Sequence, residues 1–295
     1  MNDEKRPAAS KSIKAIVIAL LIAATIAVAG SHQGLRYAGI PVFALIAILA
    51  FAIQWLVFIP AYLSQSERYY DLTGSLTYLS VVALAASVKG DPRSLLLAAL
   101  IGVWAVRLGY FLFLRIRDAG SDRRFDQIKP YFFRFLMTWT LQGLWVLITA
   151  GASLAAMTST DSTAIGPVAV IGLLLWIGGF SIEVIADRQK RAFRRDPDNA
   201  ERFIRHGLWA WSRHPNYFGE IMLWLGVAII ALPALSGWQY ATLISPLFVY
   251  LLLSRVSGIP ALEAHAEKRW GEDPAYRAYR EATPVLFMRP PKNHS

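Results

Sequence analysis

Eight long apolar stretches, joined by connections that differ sharply in Lys and Arg content, leave this chain few folds to choose from. The runs are Ile13–Gly30, Tyr37–Tyr62, Leu72–Val88, Leu95–Leu114, Phe132–Met157, Ala164–Ala186, Phe218–Leu232 and Tyr240–Leu253. A helix needs about 20 apolar residues to cross the roughly 30 Å hydrocarbon layer. Inside that layer it must satisfy its own backbone hydrogen bonds, so helices are the natural solution. The last two runs are short, and the chain is 55% hydrophobic over 295 residues. These observations predict an all-α, multi-span integral membrane bundle of about eight spans, forming one domain over 1–295. Residues 1–12 are polar and expected to be loose. Ile13–Gly30 has the form of a secretory signal, with Lys11 and Lys14 before its apolar core, but it is read as a retained first span.

The positive charges orient the spans. They gather before the first run (Lys5, Arg6, Lys11, Lys14), between the fourth and fifth, between the sixth and seventh, and after the last. The Thr158–Thr163 and Pro233–Gly237 connections have neither Lys nor Arg. Eight spans put all the basic segments on one side, which makes both termini cytoplasmic. The net charge of +10 is thus topological and does not call for nucleic acid; membrane lipids are the expected surroundings. There is no cysteine, and the five histidines lack metal-ligand spacing, so neither a thiolate nucleophile nor a metal is expected. After Arg255, Gly258 and Pro260 break the helix, and two short cytoplasmic helices are expected over Ala261–Trp270 and Pro274–Glu281.

Polar residues where apolar runs begin or end mark the candidate site. Gly207–Ile221 is basic and turn-forming, yet it leads directly into the seventh run, with Arg213, His214 and Asn216 in the loop and Glu220 in the first turn. Pro215 suits a first helical turn, and Asn216 and Glu220 are four apart on one face. At the inner end of the sixth run, Asp187, Arg191 and Arg194 share a stripe, with Glu183 one turn deeper. Acids so placed need a polar partner, and a cofactor with ribose hydroxyls and phosphates supplies one. Arg188, Lys190 and Arg195 are read as a flank of the positive side. Arg107 lies too deep in the fourth run to snorkel easily and is read as paired or facing a cavity. For Asp71 a helix N-cap and a site role both stand; Gln54 is read as a link between helices.

The ordered set Asp71-Leu-Thr-Gly-Ser, Ala186-Asp-Arg-Gln-Lys, Arg213-His-Pro-Asn-Tyr, Ser257-Gly-Ile-Pro and the Trp270-Gly…Tyr276-Arg-x-Tyr tail resembles the steroid 5-alpha-reductase superfamily. Within it, the chain is similar to the branch of uncharacterised bacterial membrane proteins. The matching features run over about 67–291, the reductase-like core. The resemblance implies NADPH-dependent reduction of a carbon–carbon double bond conjugated to a carbonyl or iminium, carried out in a bacterial inner membrane. The implied substrate is an apolar steroid-, sterol- or isoprenoid-like molecule entering from the bilayer. By motif, Asn216 and Glu220 would hold the nicotinamide end, Asp187, Arg191 and Arg194 the ribose and phosphates, and Arg255, Glu263 and Arg280 the rest of the nucleotide. Arg107 matches the relatives' middle-span arginine. Asp71 stands at the place of the catalytic glutamate, and Trp104 or Tyr110 near that of the tyrosine; the shorter acid and the extra first span depart from the pattern.

Two other functions remain open. A membrane methyltransferase using S-adenosylmethionine, similar to the isoprenylcysteine carboxyl methyltransferases, shares the Arg-His-Pro turn. A transporter or lipid-binding protein would need a polar path through the membrane, whereas the polar groups gather at one end.

Overall fold

The computed structural model describes residues 5–119 and 122–291. Part of the N-terminal segment expected to be loose, residues 1–4, lies outside the described residues, as do 292–295. Among the described residues, eight helices are long and apolar enough to cross a membrane, and the fold is a multi-span helical membrane bundle. The chain divides into two compact units. The first comprises residues 1–169 and 228–245, and the second 170–227 and 246–295.

In the first unit, α1 (Lys5–Gly30), α2 (Val42–Leu63), α3 (Tyr70–Lys89), α4 (Pro92–Ala119), α5 (Phe132–Thr149) and α6 (Gly151–Thr158) follow in order. Residues 5–12 are already helical, which corrects the expectation of a loose start. The Phe132–Met157 run is two helices, because the chain turns at Ala150. A two-residue hairpin, β1 (Arg36–Tyr37) with β2 (Ile40–Pro41), joins α1 to α2. Gln54 is fully buried and donates to Thr77 Oγ1 at 2.9 Å, linking α2 to α3 as expected. Below it Phe58, Phe125, Phe135 and Trp139 form an aromatic core.

Two buried charges order the ends of this unit. Glu67 accepts from the Asp122 backbone N–H and from Lys129, each at 2.9 Å, and so ties the α4–α5 connection to the start of α3. Burial works against its charge, but those hydrogen bonds outweigh it and hold the carboxyl below the usual carboxylate range. Arg93 is 3% exposed and donates to the carbonyls of Ala164 and Ile230, so it caps backbone that would otherwise lack donors.

The second unit holds most of α7 (Pro167–Arg195) and α8 (Pro215–Ala231), followed by α9 (Ile244–Leu251), α10 (Ile259–Trp270) and α11 (Pro274–Ala282). α7 continues beyond the apolar run that ends at Ala186 and carries its charged stripe in regular helix. The last span is not one uniform helix. A 3₁₀ segment (Gly237–Leu243) precedes α9, a π-helical turn (Leu252–Val256) follows it, and the chain breaks at Ser257–Gly258 before α10.

Candidate functional site

The site is built on a close contact between two helices of the second unit. A Cβ placed on Gly219 would stand 2.5 Å from Gly179 O and 2.7 Å from Glu183 N, and one on Gly226 would stand 2.5 Å from Gly172 O. Gly172 and Gly179 on α7 therefore face Gly219 and Gly226 on α8 at backbone distance, a contact only small residues permit. As a result Gly219, next to Glu220 and one turn after Asn216, lies against Glu183, which is 3% exposed. The N-terminus of α8 carries partial positive charge, which suits an acidic or polar neighbour. Asn216 and Glu220 are half-buried there.

The segment before α8 is fixed from two directions. On one side, Trp209 Nε1 donates to Ala186 O at 3.0 Å, and the Leu208 N–H donates to Gln189 Oε1 at 3.0 Å. Lys190 sits 4.5 Å above the Trp209 ring. The flank assigned to Lys190 is thus incomplete: its ammonium is engaged with the site loop. Gly207 makes this turn at φ 61, where a side chain would also strike Gln189. On the other side, the tail that follows α11 lies along residues 211–213. The Arg213 N–H donates to Pro284 O at 2.9 Å, Ser212 Oγ to Leu286 O at 2.9 Å, and the Arg289 N–H to Trp211 O at 3.0 Å.

Glu263 on α10 closes the arrangement. One carboxylate oxygen lies 2.7 Å from Arg213 Nη1 and the other 2.7 Å from His214 Nε2. His214 is 5% exposed, stacks on Tyr217, and has its N–H held by Ser212 Oγ at 3.1 Å. Burial pushes its pKa below the ordinary imidazole value, outweighing the opposing pull of Glu263. Tyr279 donates to Trp209 O at 2.7 Å, and burial raises its pKa above the phenol range.

The predicted site residues fall as follows. Glu183, Asp187, Arg191, Arg194, Arg213, His214, Asn216, Glu220, Arg255, Glu263 and Arg280 all belong to the second unit. Asp187 and Arg191 are half-buried, whereas Arg194, Arg255 and Arg280 are exposed, and Arg280 pairs with Glu267. Asp71, Arg107 and Tyr110 belong to the first unit. There, a Cβ on Gly109 would stand 2.7 Å from Ser75 Oγ, so the turns bearing Asp71 and Arg107 are neighbours on α3 and α4. Asp71 is not the N-cap, since Tyr69 holds that position without a side-chain bond. Its charge helps to raise the pKa of Arg124, whose main partner is Asp122. Arg107 is half-buried over the Phe111 ring, and Tyr110 is 66% exposed. Gln189 and Tyr279 stand in the quoted motifs, but neither they nor Ser212 receives a role from the sequence. Ser212 adjoins the Arg-His-Pro turn, but nothing local announces its contact with the tail.

The residues fit a phosphate-bearing nucleotide. Beside the α8 N-terminus, Arg213 Nε and His214 Nδ1 are buried without hydrogen-bond partners among the described residues, and the α7 arginines add positive charge.

Comparison with known proteins agrees on the kinship. The "Uncharacterized protein C594.04c" of Schizosaccharomyces pombe is 25% identical over 235 residues, 68% of this chain and 65% of that protein. The "3-oxo-5-alpha-steroid 4-dehydrogenase 1" of Macaca fascicularis is 32% identical over 94 residues, 32% of this chain and 34% of that protein. The "Probable O-methyltransferase ustE" of Ustilaginoidea virens is 26% identical over 150 residues, 51% of this chain and 49% of that protein. In each case the match spans less than two thirds of the relative's own length. No solved structure matches significantly. The family described as "Protein of unknown function (DUF1295)" matches residues 57–283, and the chain belongs to it, a family related to the steroid 5-alpha-reductases.

Proposed function

We propose that this protein is a membrane oxidoreductase that uses NADPH to reduce a carbon–carbon double bond conjugated to a carbonyl. Its substrate is an apolar steroid-, sterol- or isoprenoid-like molecule from the bilayer. The observation that carries this reading is the second unit's polar assembly: buried Glu183 packed on Gly219 of α8, with the Arg213–Glu263–His214 contact at the start of that helix. The similarity to a steroid 4-dehydrogenase supports the reaction class.

In this reading Arg191, Arg194, Arg255 and Arg280 hold phosphates, and Glu183 and Asp187 accept hydrogen bonds from ribose hydroxyls. Asn216 and Glu220 fix the nicotinamide amide, because hydride transfer is steeply sensitive to placement. Glu263 keeps Arg213 and His214 in position. Asp71, Arg107 and Tyr110 are the proposed proton donor and oxygen-holding groups, which stabilise charge that appears at the carbonyl only in the transition state. NADPH, when bound, supplies the hydride.

A methyltransferase is the second reading, favoured by the similarity to ustE. Purified protein given NADPH and a panel of 4-en-3-one steroids and polyprenals tests the first. Enone-dependent NADPH oxidation that Glu220→Gln abolishes, with folding intact, is the expected result. Methylation of an acceptor by S-adenosylmethionine, with no NADPH consumed, would overturn it.

A further inference from the structure

His214 is held so completely that its one unsatisfied atom becomes informative. Nε2 lies 2.7 Å from Glu263, whose other oxygen lies 2.7 Å from the Arg213 guanidinium. A carboxylate paired with a guanidinium can only accept, so Nε2 must carry the hydrogen. In a neutral imidazole that leaves Nδ1 as a bare lone pair, and burial favours the neutral ring. Nδ1 is buried and, among the described residues, has no hydrogen-bond partner. The ring cannot readily swing to find one. It stacks on Tyr217 with an interplanar angle of 12°, and its own backbone N–H is bound to Ser212 Oγ. An acceptor fixed in this way at the N-terminus of α8 is complementary to a ligand donor.

We infer that His214 recognises the bound nucleotide through Nδ1 as an acceptor, taking a hydrogen bond from a neutral donor of the ligand. That donor is a ribose hydroxyl or a carboxamide N–H, and not a phosphate. This rests on the second unit being the nucleotide site, and it divides the labour there. Arginines meet the anionic oxygens, while His214 meets a group that phosphate chemistry alone does not supply. A phosphate oxygen facing a bare lone pair would be repelled, so His214 is not a phosphate contact.

The test uses the full chain in detergent, with wild type and His214→Gln. The glutamine amide can reach the Nε2 position and donate to Glu263, but it has no acceptor where Nδ1 stands. Calorimetric titrations employ NADPH and adenosine 2′,5′-bisphosphate, and inorganic pyrophosphate is measured by displacement of NADPH. Weaker NADPH binding, by roughly ten-fold, with pyrophosphate unchanged and the melting temperature preserved, is the expected result. If adenosine 2′,5′-bisphosphate is equally weakened, the donor is the adenosine ribose hydroxyl; if it is unaffected, the donor lies on the nicotinamide half. Unchanged NADPH affinity, or an equal loss for pyrophosphate, overturns the inference. Nitrogen-15 histidine spectra of the ligand-free protein give a second readout, and a protonated Nδ1 on His214 also overturns it. Wild type that binds S-adenosylmethionine and not NADPH would defeat the reductase reading separately. His214→Gln is then expected to weaken S-adenosylmethionine, through its ribose hydroxyls, and no change would overturn the inference. Binding of no nucleotide at all would defeat both.

Discussion

Gly219 and Glu183 meet so closely that a Cβ on the glycine would stand 2.7 Å from the glutamate's backbone nitrogen and 3.1 Å from its Cβ. This contact sets where α8 begins relative to the acid on α7, and so it locates the pair Asn216 and Glu220. The neighbouring atoms are backbone and cannot yield as a flexible side-chain tip could.

Replacing Gly219 by Ala should therefore force the helices apart. Overpacking of this kind costs about 1–3 kcal/mol, seen as a lower melting temperature, and NADPH affinity should fall with it. Gly166→Ala, where a Cβ meets nothing within 4 Å, serves as the control and should change neither. Gly219→Ala with wild-type stability and affinity would show that the close contact is not what builds the site.

Stability should decline in acid in two separate windows. His214 is shifted below its ordinary value by burial, so the folded state disfavours the imidazolium. Its contribution is complete above the unfolded value of about 6.5 and is lost as pH falls through the lower folded value. Glu67, also lowered, contributes above its ordinary carboxylate value and loses that contribution at still lower pH. Melting temperatures measured across both windows should show the first step in wild type and not in His214→Gln. A first step that persists in the variant would assign it to another group.

The spans were legible because apolar length is a property of consecutive residues. The α7 stripe was legible for the same reason, since Glu183, Asp187, Arg191 and Arg194 follow helical spacing. The Glu263–His214 contact joins residues 49 apart, and the Ser212–Leu286 bond joins residues 74 apart. No local period encodes such pairs. Motif order had put Glu263 in the nucleotide pocket, but it could not show that both carboxylate oxygens are taken up by Arg213 and His214. The bend within the last span was hidden too, because a π-helical turn such as Leu252–Val256 keeps an apolar sequence apolar.

Arg194 is exposed at the end of α7, and the proposed role gives it a phosphate to meet. Arg194→Ala should weaken NADPH more than NADH if it meets the 2′-phosphate. The difference should be about 1.5–3 kcal/mol for a charge-assisted contact. Equal losses for both, measured by titration, would remove Arg194 from that role.

Both termini are expected on the cytoplasmic side, with the Thr158–Thr163 connection opposite. Reporter fusions at Ser295 and within that connection should give opposite signals. The same signal from both would require a different number of spans.

The central claim is that the second unit is a site for NADPH, and titration of the purified wild-type protein with NADPH and with S-adenosylmethionine tests it most directly. Followed by nicotinamide fluorescence and thermal shift, NADPH should bind saturably and raise the melting temperature, with S-adenosylmethionine neither stabilising the protein nor displacing it. Stabilisation by S-adenosylmethionine, with no response to NADPH, would contradict the account.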